Sequence, residues 1–154
     1  SGTRPPAPAP PPSRPNQAGL RVLVAEDNLV NQRLIKRVLE NLGSTPTLVE
    51  NGRQALAVLT ARAAEFDLVL LDMHMPEMDG IEALRAIREG RAGAQAKDLW
   101  VIALTADARE QQRAQAIEAG LNGYLTKPLN LAELDAALRQ YRDARQQHHP
   151  GRTS

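Results

Sequence analysis

The sequence predicts an α/β fold, a doubly wound parallel sheet of five strands with helices on both faces. Five short apolar runs alternate with five helical patterns between residues 20 and 145. The runs are rich in Val, Leu and Ile without strict alternation, as expected for strands that are covered on both faces. Because strand–helix–strand crossovers are right-handed, such a pattern leaves little choice but a parallel sheet.

The five predicted strands are short, and a helical pattern follows each of them. The strands are residues 21–25, 47–49, 66–71, 99–105 and 123–125. The helices are recognised by apolar stripes and by start and stop signals. In chain order their markers are Leu34, Ile35, Val38, Leu39 and Leu42 ended by Gly43; Asn51-Gly52 with Leu56 and Leu59; Asp79-Gly80 with Ile81, Leu84 and Ile87; residues 108–119 ended by Gly120; and Leu131, Leu134, Leu138 and Tyr141.

The composition excludes several classes of protein. The chain has 154 residues, a formal net charge of +1 and no cysteine. Without cysteine there are no disulfides or thiolate metal sites, and we expect a cytoplasmic domain. The longest apolar runs are far shorter than a membrane span, so we expect no membrane contact by this segment, although the parent protein could carry an anchor elsewhere. Basic residues are scattered among acidic ones, which argues against direct binding of nucleic acid.

The two ends of the chain differ in composition from the region between them. Seven of the 11 prolines lie between Pro5 and Pro15, and residues 1–19 are therefore predicted to form a flexible, extended linker. Residues 20–145 form the predicted domain, and the polar residues 146–154 are expected to be a disordered tail. The chain opens with Ser1-Gly2 instead of Met, so we expect either a fragment of a longer protein or a recombinant expression product.

Chemically useful side chains lie at the ends of four predicted strands. Glu26 and Asp27 follow the first strand, Asp72 follows the third, Thr105 ends the fourth, and Lys127 comes after the fifth. In parallel α/β sheets the functional crevice lies outside the carboxyl ends of the strands. If the first and third strands are neighbours, three carboxylates converge at one edge of the sheet.

Crowded carboxylates need a counterion. Two like charges about 4 Å apart repel by on the order of 4 kcal/mol at an effective dielectric constant of about 20. Mg²⁺ prefers carboxylate oxygens and bridges readily to phosphate, and a carboxylate such as Asp72 can attack a phosphoryl group to form an acyl phosphate. The Thr105 hydroxyl and the Lys127 ammonium could bind the remaining phosphoryl oxygens. Taken singly, each residue is explained equally well as a cap, a turn former or a surface side chain; the combination favours a site.

Four segments together resemble the motifs of response-regulator receiver domains. They are residues 24–28 (Val-Ala-Glu-Asp-Asn), 71–80 (Leu-Asp-Met-His-Met-Pro-Glu-Met-Asp-Gly), 104–106 (Leu-Thr-Ala) and 125–128 (Leu-Thr-Lys-Pro), and the resemblance covers residues 20–141. It implies a flavodoxin-like (βα)5 fold with strand order 2-1-3-4-5 and Asp72 as the phosphoacceptor. It also implies Mg²⁺, or Mn²⁺ in its place, held by Asp27, Asp72 and the backbone carbonyl of His74, and by Glu26 mostly through water.

The same resemblance assigns roles to further residues. Thr105 and Lys127 would engage the phosphoryl group, and Tyr124 matches the aromatic residue that turns inward as the threonine moves. For Tyr124 the alternative is an ordinary half-buried tyrosine. The bond between Lys127 and Pro128 is expected to be cis, which would aim the lysine into the site. Phosphorylation would then change the surface formed by the fourth helix, the fifth strand and the fifth helix.

Residues 26–32 resemble the receivers found within hybrid sensor histidine kinases, which implies two-component phosphorelay signalling. The expected partners are a histidine kinase transmitter domain, a histidine phosphotransfer domain, or both. Such a domain assists its own phosphorylation and dephosphorylation, so its status as an enzyme stays open, whereas the parent chain could be a histidine kinase. A free-standing single-domain response regulator and a non-phosphorylated pseudo-receiver remain alternatives.

Two other functions on the same architecture are disfavoured by particular residues. A flavin-binding module needs backbone amides facing phosphate after the first strand, and the carboxylates of Glu26 and Asp27 would repel that phosphate. Phosphohydrolases with an aspartyl nucleophile resemble this chain less, because they place a second Asp two residues after the first, where this sequence has His74.

Overall fold

The structure is a computed structural model, and it describes residues 19–75, 78–106 and 110–147. Residues 1–18 of the predicted linker (1–19) and residues 148–154 of the predicted tail (146–154) therefore lie outside the described residues, whereas residues 146 and 147, predicted to belong to the tail, continue the last helix. No helix in the described part of the chain has both the length and the apolar character needed to cross a membrane.

The sheet has five parallel strands in the order β2-β1-β3-β4-β5, which confirms the predicted fold class and strand order. In chain order the strands β1 to β5 are Arg21–Ala25, Thr45–Val49, Leu68–Asp72, Trp100–Thr105 and Gly123–Thr126. Strand β2 begins at Thr45, before its predicted start, although it contains Pro46; it lies at the edge of the sheet, where proline is tolerated. Strand β3 begins later than predicted, because Phe66 donates its N–H to Ala63 and closes a 3₁₀ turn.

Four α-helices connect consecutive strands and a fifth follows β5, and the helices begin close to the predicted start signals. In chain order α1 to α5 are Leu29–Asn41, Gly52–Arg62, Gly80–Arg88, Glu110–Glu118 and Leu131–Gln147. The side chains of Asn28, Asn51 and Asp79 accept hydrogen bonds from the first turns of α1, α2 and α3. Caps of this kind stabilise a helix by about 1 kcal/mol each, and they hold the helix N-termini beside the carboxyl ends of the strands.

Strand β3 shows how the two faces of the sheet are buried. Val69 and Leu71 pack in one apolar cluster with residues of α2 and α3, whereas Leu68 and Leu70 pack on the opposite face with residues of α1 and α5. All four side chains are fully buried. Burying each of them is worth about 1.5–3 kcal/mol, so the strand that carries Asp72 is firmly anchored in the sheet.

Two glycines allow the loop after β3 to pack closely. A Cβ atom on Gly80 would lie 2.5 Å from the carbonyl oxygen of Asp72, and one on Gly52 would lie 2.7 Å from the carbonyl oxygen of Met78. The Gly52 amide donates to that same Met78 carbonyl at 3.2 Å. Met73 is buried in the core beneath this loop, and the close contacts therefore fix the segment that follows Asp72.

Arg88 forms hydrogen bonds with two loops at the end of the sheet opposite to the carboxyl ends of the strands. Its guanidinium donates to the carbonyls of Gly120, Lys97 and Leu99 and to Oδ1 of Asn122, at distances of 2.7–3.0 Å. Burial lowers the pKa of Arg88, partly offset by the charge of Asp98. The network holds the turns that lead into β4 and β5, at the end of the sheet where those strands begin.

Candidate functional site

Strand order and register bring the predicted site residues together at the carboxyl ends of the strands. Strand β1 pairs with β3 with Ala25 opposite Leu71, so the residues that follow them, Glu26 and Asp72, are neighbours. On the other side of β3, Asp72 is opposite Leu104 of β4, one residue before Thr105. Strand β5 pairs with β4 and leads directly into Lys127.

Three carboxylates form a compact acidic cluster at these strand ends. Glu26, Asp27 and Asp72 each offer one oxygen, and these oxygens lie within 4.8 Å of one another. Glu26 and Asp72 are buried, with 0% and 2% of their surface exposed, whereas Asp27 is exposed. At 4.8 Å two carboxylates repel by about 3.5 kcal/mol at an effective dielectric constant of about 20, so the cluster needs positive charge nearby.

Lys127 supplies part of that charge. Its Nζ lies 2.8 Å from Oε1 of Glu26 and donates a hydrogen bond to Oδ2 of Asp72 at 3.0 Å. Burial alone lowers the pKa of the Lys127 ammonium, but its interactions with Glu26 and Asp72 outweigh burial and raise the pKa above its ordinary value. The three carboxylates and one ammonium together carry a formal charge of −2.

The remaining oxygens of the buried carboxylates are held by the backbone and by α1. Oδ1 of Asp72 accepts from the His74 amide at 3.0 Å. Oε2 of Glu26 accepts from the Asn28 amide at 3.1 Å, and the side-chain amide of Asn31 lies 3.5 Å away. The His74 side chain is exposed, and the expectation that its carbonyl serves as a metal ligand stays a prediction.

The residues present fit a hard divalent cation. Oε1 of Glu26 is buried and lies 2.8 Å from Nζ of Lys127, and it has no other partner among the described residues. An oxygen of this kind has unused capacity to interact with a cation. Clustered carboxylate oxygens are the donors that Mg²⁺ prefers.

Thr105 ends β4 one residue after Leu104, the register partner of Asp72, and Tyr124 lies on β5 opposite Ala103. Thr105 is fully buried, and its carbonyl accepts from the Lys127 amide at 2.7 Å. Tyr124 is half-buried and packs against the core, and the guanidinium of Arg113 from α4 lies 5.3 Å from the centre of its ring. The bond between Lys127 and Pro128 is cis. The switching role of Tyr124 stays a prediction.

Sequence reasoning missed one residue that contacts the acidic pair. Gln32 of α1 is buried, and its side-chain amide donates to the backbone carbonyl of Glu26 at 2.5 Å. The pattern contained a signal for it: Gln32 lies three residues before Ile35 and seven before Leu39, on the same apolar stripe. A polar side chain on a buried helical stripe is expected to have a specific partner.

Comparisons with known proteins agree with this arrangement. Residues 22–139 match the family model of the response regulator receiver domain. The chain is 38% identical over 119 residues to hybrid signal transduction histidine kinase M of Dictyostelium discoideum, covering 77% of this chain and 5% of that protein. It is 39% identical over 114 residues to sensor protein GacS of Pseudomonas syringae pv. syringae, covering 74% of this chain and 12% of that protein.

Among solved structures, the receiver domain of sensor histidine kinase PA1611 from Pseudomonas aeruginosa PAO1, which has a magnesium ion coordinated in its active site cleft, is 39% identical with a TM-score of 0.72. The alignment covers 80% of this chain and 98% of that one. The family match begins at the second residue of β1, contains the other four strands, and includes the cluster of Glu26, Asp72 and Lys127 at the strand ends. The chain therefore belongs to the response regulator receiver domain family.

Proposed function

We propose that this domain takes a phosphoryl group from a phosphohistidine onto Asp72, with Mg²⁺ bound at the acidic cluster. The observation that carries the proposal is the position of the Asp72 carboxylate, buried beside the acidic pair and sharing the Lys127 ammonium with Glu26. A structural aspartate needs neither a second buried carboxylate within 4.8 Å nor a shared lysine.

In the proposed reaction an oxygen of Asp72 attacks phosphorus while the bond from phosphorus to the donor imidazole breaks. The imidazole leaves with the electron pair of that bond and is neutral if its other nitrogen carries a proton. The His74 amide holds Oδ1 of Asp72 in place. Lys127, which now contacts Oδ2, is positioned to bind a phosphoryl oxygen after Asp72 is acylated, and the Thr105 hydroxyl is proposed to bind another.

Asp27, Asp72 and the His74 carbonyl are the proposed direct ligands of the cation, with Glu26 acting mostly through water and Mn²⁺ able to replace Mg²⁺. When bound, the cation supplies positive charge beside the transferring phosphoryl group. The exposure of Asp27 leaves that carboxylate facing solvent, where a hydrated ion can reach it.

The proposed output is a change in the surface formed by α4, β5 and α5. Thr105 of β4 accepts a backbone hydrogen bond from Lys127, which follows β5. Strand β5 also carries Tyr124, whose ring lies under the guanidinium of Arg113. A shift of the Thr105 side chain toward the phosphoryl group would open space behind β4 for the Tyr124 ring. The contact with Arg113 would then have to break or re-form on another face of the ring.

We further propose that the domain works inside a hybrid sensor histidine kinase, in the cytoplasm, and exchanges phosphoryl groups with a transmitter or histidine phosphotransfer domain. The names of its relatives support this proposal, although the chain spans only 5% and 12% of the two described. Leu29 and Val30, directly after the acidic pair, are 60% and 73% exposed and leave apolar surface that a partner domain can cover.

The test is labelling with acetyl phosphate, or with a phosphorylated histidine phosphotransfer domain, in the presence and absence of Mg²⁺. We expect Asp72→Asn to lose Mg²⁺-dependent labelling while keeping the fold. Asp98→Asn is the matched control, because Asp98 is an exposed aspartate in the turn before β4 and should be labelled like the unmodified chain. Undiminished, acid-stable labelling of Asp72→Asn would refute the proposal, since an acyl phosphate on Asp72 could not account for it.

A further inference from the structure

Gln32 holds the backbone at the point where β1 continues into the acidic pair. Its side chain is 9% exposed, so its amide group is out of contact with most of the solvent. Nε2 donates to the carbonyl oxygen of Glu26 at 2.5 Å and lies 3.5 Å from the carbonyl oxygen of Val49. Its position is set by α1, because the Gln32 backbone amide donates to Asn28, the N-cap of that helix.

These contacts fix both backbone groups of Glu26. Its N–H donates to the Val49 carbonyl at 3.0 Å and extends the pairing of β1 with β2 by one residue. Its C=O accepts from Gln32. A peptide unit is planar, so a fixed carbonyl oxygen on Glu26 also fixes the amide nitrogen and the Cα atom of Asp27.

Asp27 depends on this arrangement more than the other two carboxylates do. Glu26 and Asp72 are buried and have neighbours on several sides, whereas Asp27 is exposed and reaches the cluster from the surface. Its oxygen nevertheless lies within 4.8 Å of the other two carboxylate oxygens. The direction in which Asp27 leaves the backbone is therefore the main determinant of the distance between its carboxylate and Asp72.

We infer that Gln32 is a positioning residue that sets the affinity of the acidic cluster for a divalent cation by fixing the peptide plane between Glu26 and Asp27. The inference rests on the proposed function, since it assumes that the cluster binds such a cation. Partners that orient metal ligands typically change metal affinity by about 10- to 100-fold when they are removed. Gln32 acts through the backbone of the ligand residues, so we expect an effect near the lower end, about 10-fold.

The test compares the Mg²⁺ dissociation constants of the unmodified chain, Gln32→Met and Gln54→Met by isothermal titration calorimetry. Methionine matches the shape of glutamine and cannot donate a hydrogen bond. Gln54 is the matched control, because it also lies in the first turn of a helix and its side chain holds a backbone group, the Glu50 amide, at 2.7 Å. Each variant loses one side-chain-to-backbone hydrogen bond, donated by Gln32 in one case and accepted by Gln54 in the other, but we expect only Gln32→Met to weaken Mg²⁺ binding by about 10-fold.

A second measurement needs no variant, in case Gln32→Met fails to fold. In a Mg²⁺ titration followed by ¹H–¹⁵N NMR, the side-chain amide signals of Gln32 should shift with the same dissociation constant as the backbone amide of Asp27. Saturation that leaves the Gln32 signals unmoved would overturn the inference, as would equal Mg²⁺ affinities of Gln32→Met and Gln54→Met. Both results leave the proposed function intact; an unmodified chain without affinity for Mg²⁺ would refute the proposed function and this inference together.

Discussion

Replacing Lys127 by methionine separates the two ways in which the acidic cluster can be neutralised. The ammonium lies 2.8 Å from Glu26 and 3.0 Å from Asp72, and each attraction amounts to about 6 kcal/mol at an effective dielectric constant of about 20. Much of this is offset, because the charges were removed from water on folding. Breaking a buried pair by removing one partner usually costs about 3–5 kcal/mol. Since 19% of the Lys127 side chain is exposed, we expect a loss of about 2–4 kcal/mol in the free energy of unfolding without metal.

Added Mg²⁺ should reverse part of that loss. In the unmodified chain a cation has to compete with Lys127 for Glu26 and Asp72, and in Lys127→Met this competition is gone. At a concentration about 10-fold above the dissociation constant, a ligand stabilises the folded state by about 1.4 kcal/mol. The variant should reach this gain at a lower Mg²⁺ concentration than the unmodified chain does.

The assay is urea denaturation at pH 7, with a chelator and then with increasing Mg²⁺. Lys36→Met is the control, because Lys36 pairs with Glu40 on the exposed face of α1 at 2.9 Å and its loss should change stability by at most about 0.5 kcal/mol. If Lys127→Met were no less stable than Lys36→Met, the two buried carboxylates would not depend on the ammonium. If Mg²⁺ stabilised both variants equally, competition between lysine and cation would be refuted.

Two further predictions concern pH and the opposite end of the sheet. Because the pKa of Lys127 is raised on folding, its contribution to stability is complete below the unfolded pKa of about 10.4 and is lost as pH rises through the folded value. Burial also raises the pKa of Tyr141, which lowers stability at alkaline pH in every variant, so metal-free denaturation should show a steeper decline in the unmodified chain than in Lys127→Met, and parallel curves would contradict the prediction. Arg88→Met should lower the free energy of unfolding in urea by about 2–4 kcal/mol, because the carbonyls that now accept from Arg88 lose a charged donor. The control Arg85→Met, on the exposed side of α3, should leave that free energy nearly unchanged, and equal losses in the two variants would count against the Arg88 network.

The fold and the strand-end residues could be predicted because each leaves a local pattern in the sequence. Apolar runs that are buried on both faces identify the strands. A charged or hydroxyl side chain just after such a run lies at the carboxyl ends of the strands, where ligands bind. Glu26, Asp72 and Lys127 do lie together in the structure. Strand order came from the resemblance to a family, because the local patterns do not state which strands are neighbours.

Other features could not be predicted, because their partners are backbone groups far away in the sequence. Arg88 is bonded to the carbonyls of Leu99 and Gly120, and neither residue type signals such a role. The start of β3 was predicted too early because Phe66 is apolar like the strand, although it closes a turn. Gln32 could have been identified as a polar residue on a buried helical stripe. Its acceptor could not, because no sequence pattern indicates that the carbonyl of Glu26 accepts its hydrogen bond.

The distribution of burial within the acidic cluster explains how the site can be stable without metal and still attract the proposed cation. Glu26 and Asp72 are buried and share the ammonium of Lys127, so this inner group has a formal charge of −1, which the folded protein tolerates. Asp27 is exposed, and water screens most of its charge. If all three carboxylates were buried, repulsion would destabilise the metal-free fold; if all were exposed, their field would be too weak to favour a divalent ion over water. The intermediate arrangement follows from one feature of the chain, a Glu-Asp pair at the end of a central strand that directs its first member inward and its second toward solvent.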